Sequence, residues 1–308
     1  MLRPGEVKVN QDALRADVEF LSDSLCAGRA AGTAGGVEAA SYISRRLSGL
    51  GYSVSVQPFA IDSSRVGHNI LAYSAAGGVP PEGRATRGTE AGGPLRRSGG
   101  VSPKGELPKG GTPPPLTIVM ASYDGLGTLG GKLYPGADSN ASGVAALLAL
   151  AEKLKDRKDV LLVFTDARNA GGGGARALKT LLNGCRIVLV VNIDIIGASI
   201  APVDEYWPDY LIALGAERFK NTFERCNRGI QLHLYYSYYR SRVFTDLFYR
   251  RNGDHAAFVA AGVPVILFTS GITGNTNKPS DTFDTLDYDI FARRVEFISR
   301  FISYHGRR

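Results

Sequence analysis

Aspartates recur in the polar segments between the short apolar runs of this chain. Among them are Asp124 in A-S-Y-D-G-L-G, Asp138 in G-A-D-S-N-A-S-G, Asp194 in V-N-I-D-I-I-G, Asp254 in G-D-H-A-A-F and Asp281 in N-K-P-S-D-T-F-D. Brought together, Asp138, Asp194, Asp254 and Asp281 would make an all-oxygen cluster, which suits calcium or magnesium better than catalytic zinc. The four histidines, His68, His233, His255 and His305, are not spaced as ligands and read as structural. Ser122 or Ser139 could act as a nucleophile with His255 and an aspartate, but no G-x-S-x-G elbow presents either one. Arg168, in F-T-D-A-R-N-A-G, brings a different chemistry. Carboxylates facing one another at reduced dielectric must protonate or meet a cation. A guanidinium could meet that need and bond Asp194 at two points, or Arg168 could instead point into solvent.

The elements that would position these groups follow from the hydrophobic pattern. Leu116–Ala121, Val160–Thr165, Ile187–Ile193 and Val263–Thr269 are short Val/Ile/Leu/Phe-rich runs, read as buried strands. Residues 141–154, 174–182, 216–226, 254–261 and 287–305 read as helices between and after them. In the first of these the apolar stripe is Val144, Leu147, Leu148 and Leu150, an amphipathic pattern. Two further helices, near 11–24 and 36–50, open the chain, and alternating strands follow at 53–59 and 69–73. Buried strands separated by helices predict an α/β fold: a mostly parallel central sheet with helices on both faces, as one three-layer domain over 1–308. In such sheets the chemistry collects in the loops at the carboxyl ends of the strands. Between Ala75 and Pro115 the periodicity disappears and Gly and Pro dominate, so this stretch reads as a disordered insertion between neighbouring strands.

Seven segments in order resemble the zinc-dependent aminopeptidases, a family that also contains glutamate carboxypeptidases, glutaminyl cyclases and the transferrin-receptor ectodomain. They begin at C-A-G-R-A-A-G-T-A-G-G (Cys26), continue through the segments at Ala121, Gly136, Phe164 and Val191 and the G-D-H segment, and end at Asn277. The resemblance implies a zinc-exopeptidase-like sheet and, for a typical member, a pair of zinc ions with a carboxylate base. It also implies what stands at each such position here. A first His ligand is Ser122, with Asp124 kept two residues on. The bridging carboxylate of G-A-D-D-N-A-S-G is Ser139. The consecutive glutamates, base and ligand, are Arg168 and Asn169, and the last His ligand is Asn277. Only Asp194 remains of the ligands. Hydroxyls and amides are poor zinc ligands, and an arginine cannot accept a proton.

The expectation is therefore a degenerate metal site: no catalytic residue, no metal and no cofactor, with zinc as the alternative. A remnant pocket of Ser122, Asp124, Asp138, Ser139, Arg168, Asn169, Asp194 and Asn277 would bind a peptide, protein or small molecule. An active metal-dependent aminopeptidase is the alternative enzyme reading, and a structural or assembly partner is the third.

Composition adds exclusions. Of 308 residues 44% are hydrophobic and 21% charged, an ordinary globular balance. No run approaches a membrane span. The net charge of +7 is dispersed, without a recognition helix or stacking aromatics, so no nucleic-acid partner is expected. Cys26, Cys185 and Cys226 have no ligand spacing. The first ten residues lack the apolar core of a secretory signal, although members of the resembling family are often exported. The compartment stays open. The cluster Tyr235, Tyr236, Tyr238 and Tyr239, near Arg240 and Arg242, reads as edge-strand and core packing, or else as an aromatic rim beside the pocket.

Overall fold

The computed structural model describes residues 7–75, 114–199 and 209–305. The Gly/Pro-rich stretch, apart from its flanks, lies outside them. Two helices open the fold, α1 (Gln11–Ser22) and α2 (Ala34–Gly49). They begin where Asn10 and Thr33 turn their side-chain oxygens onto the first free N–H groups. The hairpin β1 (Tyr52–Ala60) and β2 (Val66–Ser74) follows, then β3 (Pro115–Ser122) and a small hairpin of β4 (Gly127–Leu129) and β5 (Lys132–Tyr134). Next come α3 (Ser142–Leu154), β6 (Val160–Thr165), α4 (Gly173–Leu181), β7 (Arg186–Ile193) and β8 (Tyr210–Leu214). The chain continues through α5 (Lys220–Cys226), β9 (His233–Tyr235), α6 (Arg242–Arg250), α7 (Ala256–Val259), β10 (Val265–Thr269) and α8 (Tyr288–His305).

Eight of these strands form one sheet in the order β1-β2-β6-β3-β7-β10-β8-β9. The centre is parallel: β6, β3, β7 and β10 run side by side, while β2 and β8 join it antiparallel. Alternation along the central strands sorts side chains into two layers. Val119, Leu162 and Val191 pack with α1, α2, α3 and α8, whereas Ile118, Val163 and Val190 pack with Leu178 of α4 and Phe258 of α7. The α/β sheet with helices on both faces is thus present.

Three expectations are corrected. The strands flanking the Gly/Pro-rich stretch are not neighbours, because β6 lies between β2 and β3. Helix α3 is buried nearly all round rather than on one stripe, since α1, α8 and the sheet close on it together; only Glu152 and Lys153 reach solvent fully. The helix expected over 254–261 keeps one turn, Ala256–Val259. Its ends are bound elsewhere: Asp254 is tied to Thr165 and Val263 N–H bonds the Phe258 carbonyl.

Candidate functional site

Because β6, β3 and β7 are parallel and in register, with Ser122 beside Thr165 and Met120 beside Asn192, their carboxyl ends open on the same side. The loops leaving them carry Asp124, Arg168 and Asp194. Two left-handed residues aim the last two. Ala167 has φ of 60° just before Arg168, and Ile195 has φ of 52° just after Asp194. For a β-branched residue that conformation is costly and must be held by its surroundings. Ile195 is braced on both sides: its N–H bonds Asn140 Oδ1 at 2.9 Å, and its carbonyl accepts from Ser270 N at 2.7 Å, Ser270 Oγ at 3.0 Å and Thr269 Oγ1 at 3.1 Å.

The two side chains meet head-on. Arg168 donates from both terminal nitrogens to both Asp194 oxygens, at 2.9 and 2.7 Å, with the side chains 20% and 13% exposed. The expected pair is formed, and it is bidentate. Asp124 serves the backbone instead. Its Oδ1 accepts the Arg168 N–H at 2.9 Å and its Oδ2 the Asn169 N–H at 2.8 Å, fastening the β6 loop over the end of β3. Asp254, buried, accepts from the Thr165 hydroxyl.

Burial pushes the Asp124 carboxyl up to about 7, with Asp254 and Asp166 adding repulsion against the two backbone N–H bonds. Burial likewise pushes Asp254 up to about 6, against the pull of Thr165 and Arg168. For Arg168 burial opposes the charge, but Asp194, Asp254 and Asp124 outweigh it and raise its affinity for its proton. Burial and then Arg168 push His255 down to about 4, so it is neutral at pH 7, with Nδ1 against the Asn192 amide at 3.1 Å.

The Gly136 loop forms a second group. Asp281 accepts from Asp138 N at 2.7 Å, Ser139 N at 3.1 Å and Ser139 Oγ at 2.7 Å. Asp138 turns away, its Oδ1 accepting Gly197 and Ala198 N–H at 2.8 and 3.1 Å, while Oδ2 is buried with no partner. Burial first, then Asp281, pushes Asp138 up to about 6. Ser122 is buried at the end of β3, and its carbonyl accepts from Asn140 Nδ2 at 3.1 Å. Asn277, with φ of 59°, stays on the exposed loop after β10, and no hydrogen bond ties its side chain to the others.

The carboxylates therefore divide: Asp124, Asp194 and Asp254 surround Arg168, while Asp281 holds the Gly136 loop and Asp138 turns to the loop after β7. Among the described residues no group of three His, Cys, Asp or Glu side chains is placed to hold a metal ion. The donors at the positions of interest are two hydroxyls, two amides, a guanidinium and one carboxylate already bonded at both oxygens. That set does not fit a zinc pair. Nor does a serine triad form. Ser139 Oγ donates to Asp281, Ser122 Oγ lies 3.5 Å from the Asn140 amide, and His255 contacts Asn192.

Further residues that organise the site were not singled out by sequence. Asn140 reaches three loops at once, donating to Ser122 O and Ile193 O and accepting from Gly143 N and Ile195 N. Gly143 makes room for it, since a Cβ there would lie 2.4 Å from the Asn140 amide. Arg29, fully buried, donates to the carbonyls of Tyr123 at 3.0 Å, Pro135 at 2.8 Å and Gly136 at 2.8 Å, and to that of Leu21. Arg294, also fully buried, holds the loop beside Asp138 by bonds to Ile196 O and Ala198 O at 2.8 and 2.9 Å. The signal for Arg29 was its glycine-rich setting in C-A-G-R-A-A-G, where Gly28 has φ of 71° and packs against Gly127.

The sheet order, the flanking layers and the loops at the strand ends define a three-layer α/β protein with its polar site at the carboxyl ends of a mostly parallel sheet. Residues 105–302 match peptidase family M28, and the chain belongs to that family. Solved structures with the same fold include the LapA aminopeptidase of Legionella pneumophila, at 15% identity and a TM-score of 0.65, covering 96% of this chain and 71% of that one. The zinc aminopeptidase BSAP of Bacillus subtilis is 12% identical with a TM-score of 0.67, covering 97% and 96%. Porphyromonas gingivalis glutaminyl cyclase is 15% identical with a TM-score of 0.62, covering 96% and 99%. At these identities the likeness is one of fold. Among the described residues no helix is long and apolar enough to cross a membrane.

Proposed function

We propose that this M28 protein is a non-catalytic, aminopeptidase-like binding protein in which Arg168 has taken over the charge of the metal ions. It would bind a peptide, a protein or a small molecule at the strand-end loops, without zinc and without a nucleic-acid partner. The observation that carries the reading is the bidentate Arg168–Asp194 pair, which commits both oxygens of the one remaining ligand carboxylate. Ser122 and Ser139 support it, because each hydroxyl is spent on a neighbour, the Asn140 amide and the Asp281 carboxylate. Removing a dication from facing carboxylates is unfavourable unless a fixed cation replaces it. Arg168 is such a cation, and its charge is reinforced by three carboxylates.

Elemental analysis of the purified chain, with an assay against a panel of aminoacyl-anilides, tests this. The expected result is no stoichiometric zinc and no chelator-sensitive hydrolysis. Stoichiometric zinc with turnover would instead establish an active aminopeptidase, the activity by which the LapA and BSAP structures are known.

A further inference from the structure

The turn that leaves β8 and the last turn of α8 meet at the end of the sheet opposite the Arg168 loops. Strand β8 runs antiparallel to β10, so its chain leaves at the amino end of the parallel strands. Helix α8 is tied to the same end by Arg157, which lies just ahead of β6 and bonds the Ile302 carbonyl at 3.1 Å. Between them lies a cleft of about 370 Å³, lined by Arg218, Phe219, Thr222, Tyr304 and His305. That volume is at the small end of ligand cavities, which run from roughly 300 to 1,000 Å³.

Three rings and a cation make its walls. The Phe219 and His305 rings stand perpendicular, at 88° with centroids 5.5 Å apart, and form a corner. The Arg218 guanidinium lies over the Phe219 ring, 4.6 Å from its centroid. Behind the third ring, Arg225 donates to the Tyr304 hydroxyl at 2.9 Å. Thr222 adds a second hydroxyl to the lining.

No carboxylate answers these guanidiniums. Among the described residues Arg218 and Arg225 form no ion pair. Asp159, the acid just before β6, is bonded at both oxygens by Arg157, at 2.7 and 2.6 Å. Glu217 and Glu224, the chain neighbours of Arg218 and Arg225, act on Tyr236 instead, where they join burial, the larger cause, in raising the phenol. A corner of rings holds a flat ring by stacking and edge contacts. A guanidinium without a carboxylate favours a planar or tetrahedral oxyanion, which it can bond at two points.

We infer that this cleft is a second binding site and takes a small aromatic anion, one or two fused rings bearing a carboxylate or a phosphate. The ring would lie among Phe219, Tyr304 and His305, with its anionic group on Arg218. The inference goes beyond the binding reading of the Arg168 loops. It stands at the other end of the sheet, so finding zinc at those loops would leave it untouched.

Isothermal titration calorimetry of the full chain tests it with two pairs of probes, naphthoate against naphthamide and adenosine monophosphate against adenosine. At least one anion should saturate at a single site per chain. Its neutral partner should bind about tenfold more weakly or worse, the scale of one lost charge-assisted contact. Whichever anion is tighter says whether the site takes an arylcarboxylate or a mononucleotide. Arg218→Ala should bring the anion down to the level of its neutral partner. Thr222→Trp should fill the cleft and abolish binding of both. Arg218 is exposed, so its variant should melt within a few degrees of the parent, and it decides the matter even if Thr222→Trp fails to fold. No saturation by either anion up to roughly 1 mM overturns the inference. So does equal binding of the neutral partners, or binding that survives Arg218→Ala or a folded Thr222→Trp protein unchanged.

Discussion

Arg29 and Arg168 both bring a guanidinium into the loops at the carboxyl end of the sheet, and opposite partners receive them. Arg29 is wholly buried and bonds only backbone carbonyls, from α1, the end of β3 and the Gly136 loop. Burial lowers its affinity for its proton, against a weaker pull from Asp281 and Asp124, and among the described residues no carboxylate is hydrogen-bonded to it. Arg168 is partly open to water and bonds a carboxylate at two points, and its proton affinity is raised. The first arginine fixes geometry and the second balances charge. A framework built from carbonyl dipoles is indifferent to what occupies the centre of the site. Its bonds involve none of Ser122, Ser139, Arg168 and Asn169, which stand where the resemblance expects ligands.

The contrast fails most visibly if Arg29 is dispensable. Arg29→Ala strands four carbonyls and empties a buried volume, and hydrogen bonds to a charged group are worth about 1.5–3 kcal/mol each. The expected loss is on the order of 4–5 kcal/mol or failure to fold, read by urea denaturation. Arg29→Lys should fall between, because an ammonium keeps the charge but not the planar fork.

Arg168→Ala should cost less, about 1–3 kcal/mol, because water reaches part of the pair and screens it. Asp194→Asn added to Arg168→Ala should recover part of that loss, with a coupling of about 1 kcal/mol in a double-mutant cycle. Single variants as stable as the parent would show that Arg168 does not replace a charge.

The Arg168 effect should also depend on pH. Asp124 and Asp254 are pushed up to about 7 and about 6 from an ordinary value of 3.8. The folded chain therefore binds more protons than the unfolded chain between those limits. Their contribution to stability is complete below about pH 4 and is lost as pH rises through about 7. Removing Arg168 takes away a charge that favours their ionised forms. Arg168→Ala should then destabilise more at pH 8 than at pH 5, by about 1 kcal/mol, one pKa unit of linkage. Equal losses at both pH values would place these carboxylates outside its reach.

How much of this was legible follows from what kind of partner each residue has. Apolar runs placed β3, β6 and β7 to within a residue, because buried parallel strands carry little but Val, Ile, Leu and Phe. The Arg168–Asp194 pair was legible because the resemblance brings carboxylates together at positions that lack the other ligands, and that charge must be balanced. Arg29 was not, since its partners are backbone carbonyls up to 107 positions away, which no residue type records. Strand β8 and helix α6 also escaped notice. The first is only Y-L-I-A-L, and the second is short and rich in aromatic and β-branched residues, with Ser241 as its one clear start signal. Helix α3 was read as one-sided because its period was visible, whereas its burial depends on α1 and α8 arriving from distant parts of the chain.

The smallest effect sits at Ser139, where the charge account can be sharpened. Its hydroxyl gives one 2.7 Å bond to Asp281, which already accepts two backbone N–H groups of the same loop. Ser139→Ala removes that bond alone and should cost about 0.5–1.5 kcal/mol. Ser139→Asp instead restores a carboxylate at a position where the resemblance implies one bridging two zinc ions. The one guanidinium at this loop, Arg29, is already spent on backbone carbonyls, so the new carboxylate would face Asp281 at hydrogen-bond distance, and two such carboxylates cannot both ionise cheaply. The variant should therefore be close to the parent near pH 4, where the pair can hold a proton, and fall below Ser139→Ala at pH 8. Thermal denaturation at the two pH values reads the difference. If Ser139→Asp matches the parent at pH 8, Arg29 balances the added carboxylate, and the proposed replacement of the metal charge does not rest on Arg168 alone.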